Sequence, residues 1–431
     1  MAKSPVAVRF ALSFVLVISL AVGQVGYVSK RAIAADAKQV VSPKVAIPLQ
    51  AALEAAKAGK LADALINAQE AAGISGKTPY ENFVVNQVIT GLYVRMKDYA
   101  NAMISLEAEL ATGEMSGQES NAALRQIAFT YYSLKNYPKV VEVGSRYLKE
   151  ADANDIDMLM VVAQAEYLQK NFQAASDGIR TLIKAAQTTN KPVKEDWLQL
   201  LTNSEQQQGD DASVVATLEQ LIAVDPKEEY WKQLIAYIER FPEFKSDSSS
   251  RTALDLYFVK FALGIVTTPD EYARMVQLAL HEGLPGAAKK VIDQEMSAGV
   301  LSEGDLKDRE MDLLAKVKTQ VESDQKALLS GEAEARKAKT GDPLVDVGEA
   351  YWSYGQYDKA VDAIQAGIAK GVTNADDAKL RLGIVYLAAG KRNEADDHFK
   401  TISSDCVPGK LSQLWMLAST SPPPSASTSP P

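Results

Sequence analysis

The sequence is poor in the residues from which most enzyme sites are built. It has one cysteine, Cys406, and two histidines, His281 and His398, in 431 residues. That count excludes a disulfide framework, an iron–sulfur cluster and a multi-His or Cys-rich metal site, and no cofactor or metal is expected. The phosphate-binding loop, the Gly-rich dinucleotide fingerprint and the G-x-S-x-G elbow are all missing. Cations are in deficit: 46 Lys and Arg against 55 Asp and Glu leave a net charge of -9. Such a chain lacks the electrostatic footprint of a nucleic-acid binder, which argues against DNA, RNA and anionic lipid as main partners. Strand signals are nearly absent.

The few chemistry-bearing residues have ordinary structural explanations. His281, in ALHEGLPG, reads as a helix C-terminal residue beside a turn, and His398, in ADDHFK, reads as part of a solvated face. Neither has a nucleophile at a recognisable spacing. The pairs Asp376-Asp377 and Asp396-Asp397 point in different directions on a helix and make no acid–base dyad. Cys406 reads as a small, half-buried side chain near the end of the last helix. Catalysis is not expected.

A long apolar run occurs only at the N-terminus. Lys3 and Arg9 precede a charge-free stretch from Phe10 to Val22, and small residues follow at Ala21 and Gly23 and again at Ala32 and Ala34. Residues 1–34 read as a signal peptide, with an uncleaved membrane anchor over Phe10 to Val28 as the alternative. Either reading exports the body of the protein, into the periplasm or facing it from the inner membrane. At the other end, residues 421–431 (SPPPSASTSPP) read as a disordered, polyproline-like tail.

Between these ends the sequence repeats. LVDVGEAYWSYGQYDKAVDAIQAGI from Leu344 and KLRLGIVYLAAGKRNEADDHFKTI from Lys379 match at Gly348/Gly383, Tyr351/Tyr386, Gly355/Gly390 and Ala360/Ala395, each pair 35 residues apart. The pattern predicts a helical hairpin. Val347, Gly348 and Tyr351 share a face of the first helix, Gly355 supplies the left-handed corner, and Ala360 opens the buried face of the second helix. A hairpin of this size cannot bury both faces alone and must stack on a neighbour. The template recurs in GLYVRMKDYANAM around Tyr93 and in IAFTYYSLKNYPKVV around Tyr131. It drifts further around Ala163, Trp197, Gly59 and Val276.

This pattern of large, small and aromatic positions resembles the tetratricopeptide repeat (TPR), with seven to eight units between Val45 and Ser404. The resemblance implies an all-α, right-handed superhelical solenoid. An N-terminal array over 45–238 and a C-terminal array over 256–405 are expected, divided by a loop at 239–255 where Pro242 and a Ser/Asp cluster break the pattern. The charged stretch 306–339 reads as a degenerate hairpin or an irregular pair of longer helices, the hairpin being preferred.

In this family the first helices of the hairpins line a concave groove that takes an extended peptide or a partner helix. Carried over by register, the groove-facing side chains are Gln87, Arg125, Phe129, Tyr132, Gln164 and Tyr167, then Glu349, Trp352, Ile384 and Leu387. Phe129, Tyr132 and Tyr167 beside Arg125 suggest an anchor pocket, since Tyr, Trp and Arg dominate binding hot spots. The competing reading packs these rings between adjacent repeats. The Lys/Asn set with which some relatives clamp a C-terminal carboxylate is replaced here by Gln87, Gly91, Arg125 and Phe129. The expectation is an exported adaptor or scaffold for a protein or peptide partner. The alternatives are a membrane-anchored structural component of an envelope complex and a glycan- or small-molecule-binding module.

Overall fold

A computed structural model describes residues 40–245, 250–298 and 305–421. The expected export segment and, apart from Ser421, the expected tail lie outside them. Among the described residues there is no strand, and no helix is long and apolar enough to cross a membrane. The chain divides into two compact units, residues 1–185 and 186–431. The boundary falls inside a helix rather than in the expected loop at 239–255.

Unit 1 is four helical hairpins: α1 (Pro43–Lys57) with α2 (Leu61–Gly73), α3 (Pro79–Arg95) with α4 (Tyr99–Ala111), α5 (Gly117–Ser133) with α6 (Tyr137–Glu150), and α7 (Ile156–Leu168) with α8 (Phe172–Thr188), which runs across the boundary. The local sequence accounts for the helix starts. Thr78 with Glu81 and Ser116 with Glu119 form capping boxes, while Asp98, Asn136 and Asp155 cap with their side chains. Glu81 is also buried, and Ser42 donates to its carboxylate through both N (2.9 Å) and Oγ (2.5 Å). Those bonds, with the one from the Thr78 N–H, hold its pKa down at about 2 and tie the start of α1 to α3. In the Ala-rich first hairpin, Val45, Leu49, Ala52 and Ala56 of α1 bury against Ala64, Ala68 and Ala71 of α2. Their spacing follows the helical repeat.

Unit 2 contains α9 (Glu195–Gln208), α10 (Asp211–Val224), α11 (Glu228–Ile238), α12 (Ser250–Ala262), α13 (Pro269–His281), α14 (Pro285–Ala298), α15 (Asp305–Lys337), α16 (Asp342–Ser353), α17 (Tyr357–Lys370), α18 (Ala375–Ala388), α19 (Arg392–Phe399) and α20 (Val407–Thr420). Four pairs, α9/α10, α13/α14, α16/α17 and α18/α19, are hairpins. The repeat matches hold in detail. Gly355 and Gly390 take the left-handed corners at φ 73° and 74°. Ala360 and Ala395 are fully buried. A methyl group on Gly348 would overlap the Ile364 side chain, and one on Gly383 would overlap the Phe399 ring.

Three expectations for this unit are corrected. Residues 306–339 form no hairpin: α15 is one 33-residue helix, along which Leu314, Val317, Val321 and Leu328, spaced three, four and seven apart, share one face without a turn signal between them. The loop at 239–255 is shorter than expected, since Pro242–Phe244 makes one 3-10 turn and α12 begins at Ser250. Cys406 does not close the last helix but precedes a further one, α20. Leu411, Leu414, Trp415 and Ala418 bury there against α10, α12, α18 and α19.

Candidate protein-interaction surface

In unit 2 the expected groove is already full. Glu349 and Trp352 on α16 and Ile384 on α18 are buried, not solvent-facing. The reason is α12, which lays Arg251, Asp255 and Phe258, one face at i, i+4 and i+7, over the first helices of the last two hairpins. Arg251 pairs with Glu349 through both guanidinium nitrogens, and Arg381 of α18 grips Asp255 at 2.5 and 2.7 Å. Arg381 also reaches Asp377 at 2.7 Å. The Phe258 ring meets Trp352 edge-on, with centroids 5.2 Å apart. Glu349, Trp352 and Ile384 thus share a face that is covered by the chain's own helix. Of the four residues carried over for these hairpins, only Leu387 keeps partial exposure.

In unit 1 the same face has no such cover from the unit's own elements: its helices pack in chain order, each hairpin against the next. Gln87 on α3 is exposed, and Arg125, Tyr132, Gln164 and Tyr167 are half-buried. Phe129 is the exception. It is buried at 6% exposure beneath the Arg125 guanidinium, which sits 4.7 Å from its ring centroid, so this ring is core, as the packing alternative held. Arg125 is committed as well. It bonds Asp155 at 3.0 Å and Asp157 at 3.1 Å on α7, bridging two hairpins.

Asp155 is the hub of that bridge. It caps α7 by accepting from the Met158 N–H and also accepts from the Tyr147 hydroxyl at 3.0 Å. Burial alone would raise its pKa, but these donors and Arg125 outweigh burial and hold it below the usual value. Tyr132 donates to Gln164 Oε1 at 2.8 Å, crossing from α5 to α7, and its ring meets Tyr137 edge-on at 6.1 Å. Tyr167 rests against Phe172 at 5.5 Å. The structure therefore joins Arg125 with Phe129 and Tyr132 with Gln164, and leaves Gln87 one hairpin away.

What remains on the face is a polar–aromatic surface of Gln87, Tyr132, Gln164 and Tyr167. Leu168 (48% exposed) and Arg95 extend it, and register from Ser133 and Tyr132 would have found Leu168. Nothing here assembles an acid, a base and a nucleophile. Among the described residues no group of His, Cys, Asp and Glu could hold a metal. His281 is exposed at the end of α13, whereas His398 stacks on Tyr386 at 5.3 Å instead of lying on an open face.

No family model matches the sequence, and no curated protein matches it. Among solved structures, the chain is similar to a tetratricopeptide repeat protein from Parabacteroides merdae, with 12% identity over 80% of this chain and 99% of that one, at a TM-score of 0.27. It is also similar to the C-terminal part of a TPR repeat-containing protein from Cytophaga hutchinsonii (13%, 77% and 98%, 0.25) and to the TPR2AB domain of yeast Sti1 in its complex with pHSP90 (12%, 70% and 99%, 0.24). With its left-handed corners, its 35-residue offset and its Gly/Ala contacts between paired helices, the chain has the all-α, tetratricopeptide-type hairpin fold.

Proposed function

We propose that the protein is an exported adaptor that binds a segment of another protein across the first-helix face of unit 1. One observation carries this reading. Register positions that α12 covers in unit 2 are open in unit 1, where Gln87, Tyr132, Gln164 and Tyr167 meet solvent. Tyr132, braced by its hydrogen bond to Gln164 of the next hairpin, and Tyr167, braced by the Phe172 ring, lose little freedom on binding, which favours a contact surface. The N-terminal apolar run supports export, into the periplasm or to its membrane boundary. Binding, not turnover, is the activity this surface suits.

The test is site-specific photocrosslinking in intact cells, with the crosslinker placed at Gln87 and Leu168 on the proposed face and at Ile66 on the opposite helix layer. A discrete adduct in the envelope fraction from the first two positions is expected. It should be lost when Tyr132→Ala and Tyr167→Ala are combined, with helicity retained. Equal adducts from Ile66, or none from the face, would overturn the reading.

A further inference from the structure

The eight hairpin corners among the described residues are chemically unequal. Each needs a residue in the left-handed region, and five supply glycine: Gly59, Gly209, Gly283, Gly355 and Gly390, with φ between 72° and 77°. The other three are consecutive and all in unit 1: Lys97, Lys135 and Lys170, with φ of 60°, 58° and 66°. A side chain with a Cβ is strained in that conformation, and the strain recurs three times where glycine would relieve it. All three lysines are exposed, and none is paired with a carboxylate among the described residues. Strain held in place around one kind of side chain points to a use for that side chain.

The corners also share their neighbours. An exposed apolar side chain stands within two residues of each lysine: Met96 (40%), Leu134 (40%) and Leu168 (48%). Stacking in register puts them along one edge of the unit, and Arg95 Nη2 donates to Ala56 O at 2.9 Å across the first two corners. The first corner adds exposed Lys60 beside Gly59. The opposite edge mixes signs, with exposed Glu114, Asp152 and Asp157 beside exposed Lys44 and Lys149. Any basic character is therefore local to the corners, because residues 40–185 as a whole carry 14 basic and 16 acidic residues.

We propose that the corner edge of unit 1 rests on an anionic phospholipid surface, with Lys97, Lys135 and Lys170 meeting the phosphates and Met96, Leu134 and Leu168 entering the headgroup layer. Cations flanked by apolar tips suit that boundary better than they suit an acidic polypeptide, which would leave the tips wet. Residues 29–42 alone separate the apolar run Phe10–Val28 from α1, so an uncleaved run would hold this unit beside a membrane. The two surfaces meet at Leu168, but Gln87, Tyr132, Gln164 and Tyr167 are not needed for this contact.

The test is vesicle flotation of the full chain on phosphatidylcholine vesicles with and without phosphatidylglycerol. A lysine near an anionic surface contributes about 1 kcal/mol, so three should give a preference on the order of a hundredfold for the anionic vesicles, weakened by salt. Two triple variants separate charge from strain. Lys97→Gly/Lys135→Gly/Lys170→Gly should abolish the preference while raising the melting temperature. Lys97→Gln/Lys135→Gln/Lys170→Gln should abolish it with no such rise. Any apolar binding by the N-terminal run is common to all three proteins and cancels. An unchanged preference in both variants would overturn the proposal, and so would poly-L-glutamate displacing the wild type from the vesicles by binding the same lysines at equal strength.

Discussion

Glu109 sits on α4 at 3% exposure, and the hydroxyl of Thr90 on α3 donates to its Oε1. Burial pushes its pKa up from 4.5 to about 7, and the Thr90 bond offsets only part of that rise. Between those two values the folded chain keeps a proton that the unfolded chain has released. Stability therefore falls as pH rises through that window, and the whole penalty is in place above pH 7. Glu109→Gln keeps an acceptor for Thr90 and removes the titration. It should leave unit 1 nearly unchanged at pH 4 and stabilise it by about 2–3 kcal/mol at pH 8, measured by urea unfolding followed by circular dichroism. An equal gain at both pH values would mean that packing, not the proton, sets the difference.

For paired helices, much was legible in the sequence. The 35-residue offset located α16 to α19, and Gly348, Gly355, Gly383 and Gly390 occupy the close contacts and corners that their spacing implied. What could not be read was the cover over those hairpins. Arg251, Asp255 and Phe258 form a plain i, i+4, i+7 stripe, but nothing in the stripe says that it faces Glu349 and Arg381 some hundred residues later. Register fixes which way a side chain points and is silent about what arrives from a distance. α20 is hidden for a different reason: Leu411, Leu414, Trp415 and Ala418 have ordinary helical spacing, but they lie beyond the repeat and so have no register to be read from. The seat of α12 can be tested directly. Asp255 is 2% exposed and bonds Arg251 and Arg381, so Asp255→Ala leaves the buried Arg381 and the half-buried Arg251 short of a partner. Breaking a buried pair from one side costs about 3–5 kcal/mol. Combining Asp255→Leu with Arg381→Met should recover most of that loss in a chemical-denaturation series. If the double variant is as unstable as the single one, packing of α12 outweighs the charges in holding it.

At the scale of the whole chain the two units carry different optical labels. All four tryptophans, Trp197, Trp231, Trp352 and Trp415, belong to unit 2, while helical signal comes from both units. Repeat arrays are stabilised by nearest-neighbour interfaces, so an end element matters in proportion to what it covers. α20 covers unusually much. Besides meeting α18 and α19, it reaches back to α10 and α12, and the Trp231 indole N–H donates to Ser421 O at 3.1 Å just past its end. Leu411, Leu414 and Trp415 are each at most 2% exposed. At about 1.5–3 kcal/mol for each large apolar side chain buried, removing α20 should cost unit 2 on the order of 5 kcal/mol. A chain ended after Ser404 should therefore lose its tryptophan-fluorescence transition at a much lower denaturant concentration. A second, later transition should remain in circular dichroism, from the hairpins of unit 1. Its survival in the truncated chain would establish that the surface built from Gln87, Tyr132, Gln164 and Tyr167 folds without help from unit 2. If fluorescence and circular dichroism instead shift together as one transition, the two units unfold as a single cooperative body, and binding at the unit 1 face should then change whenever α12 is unseated.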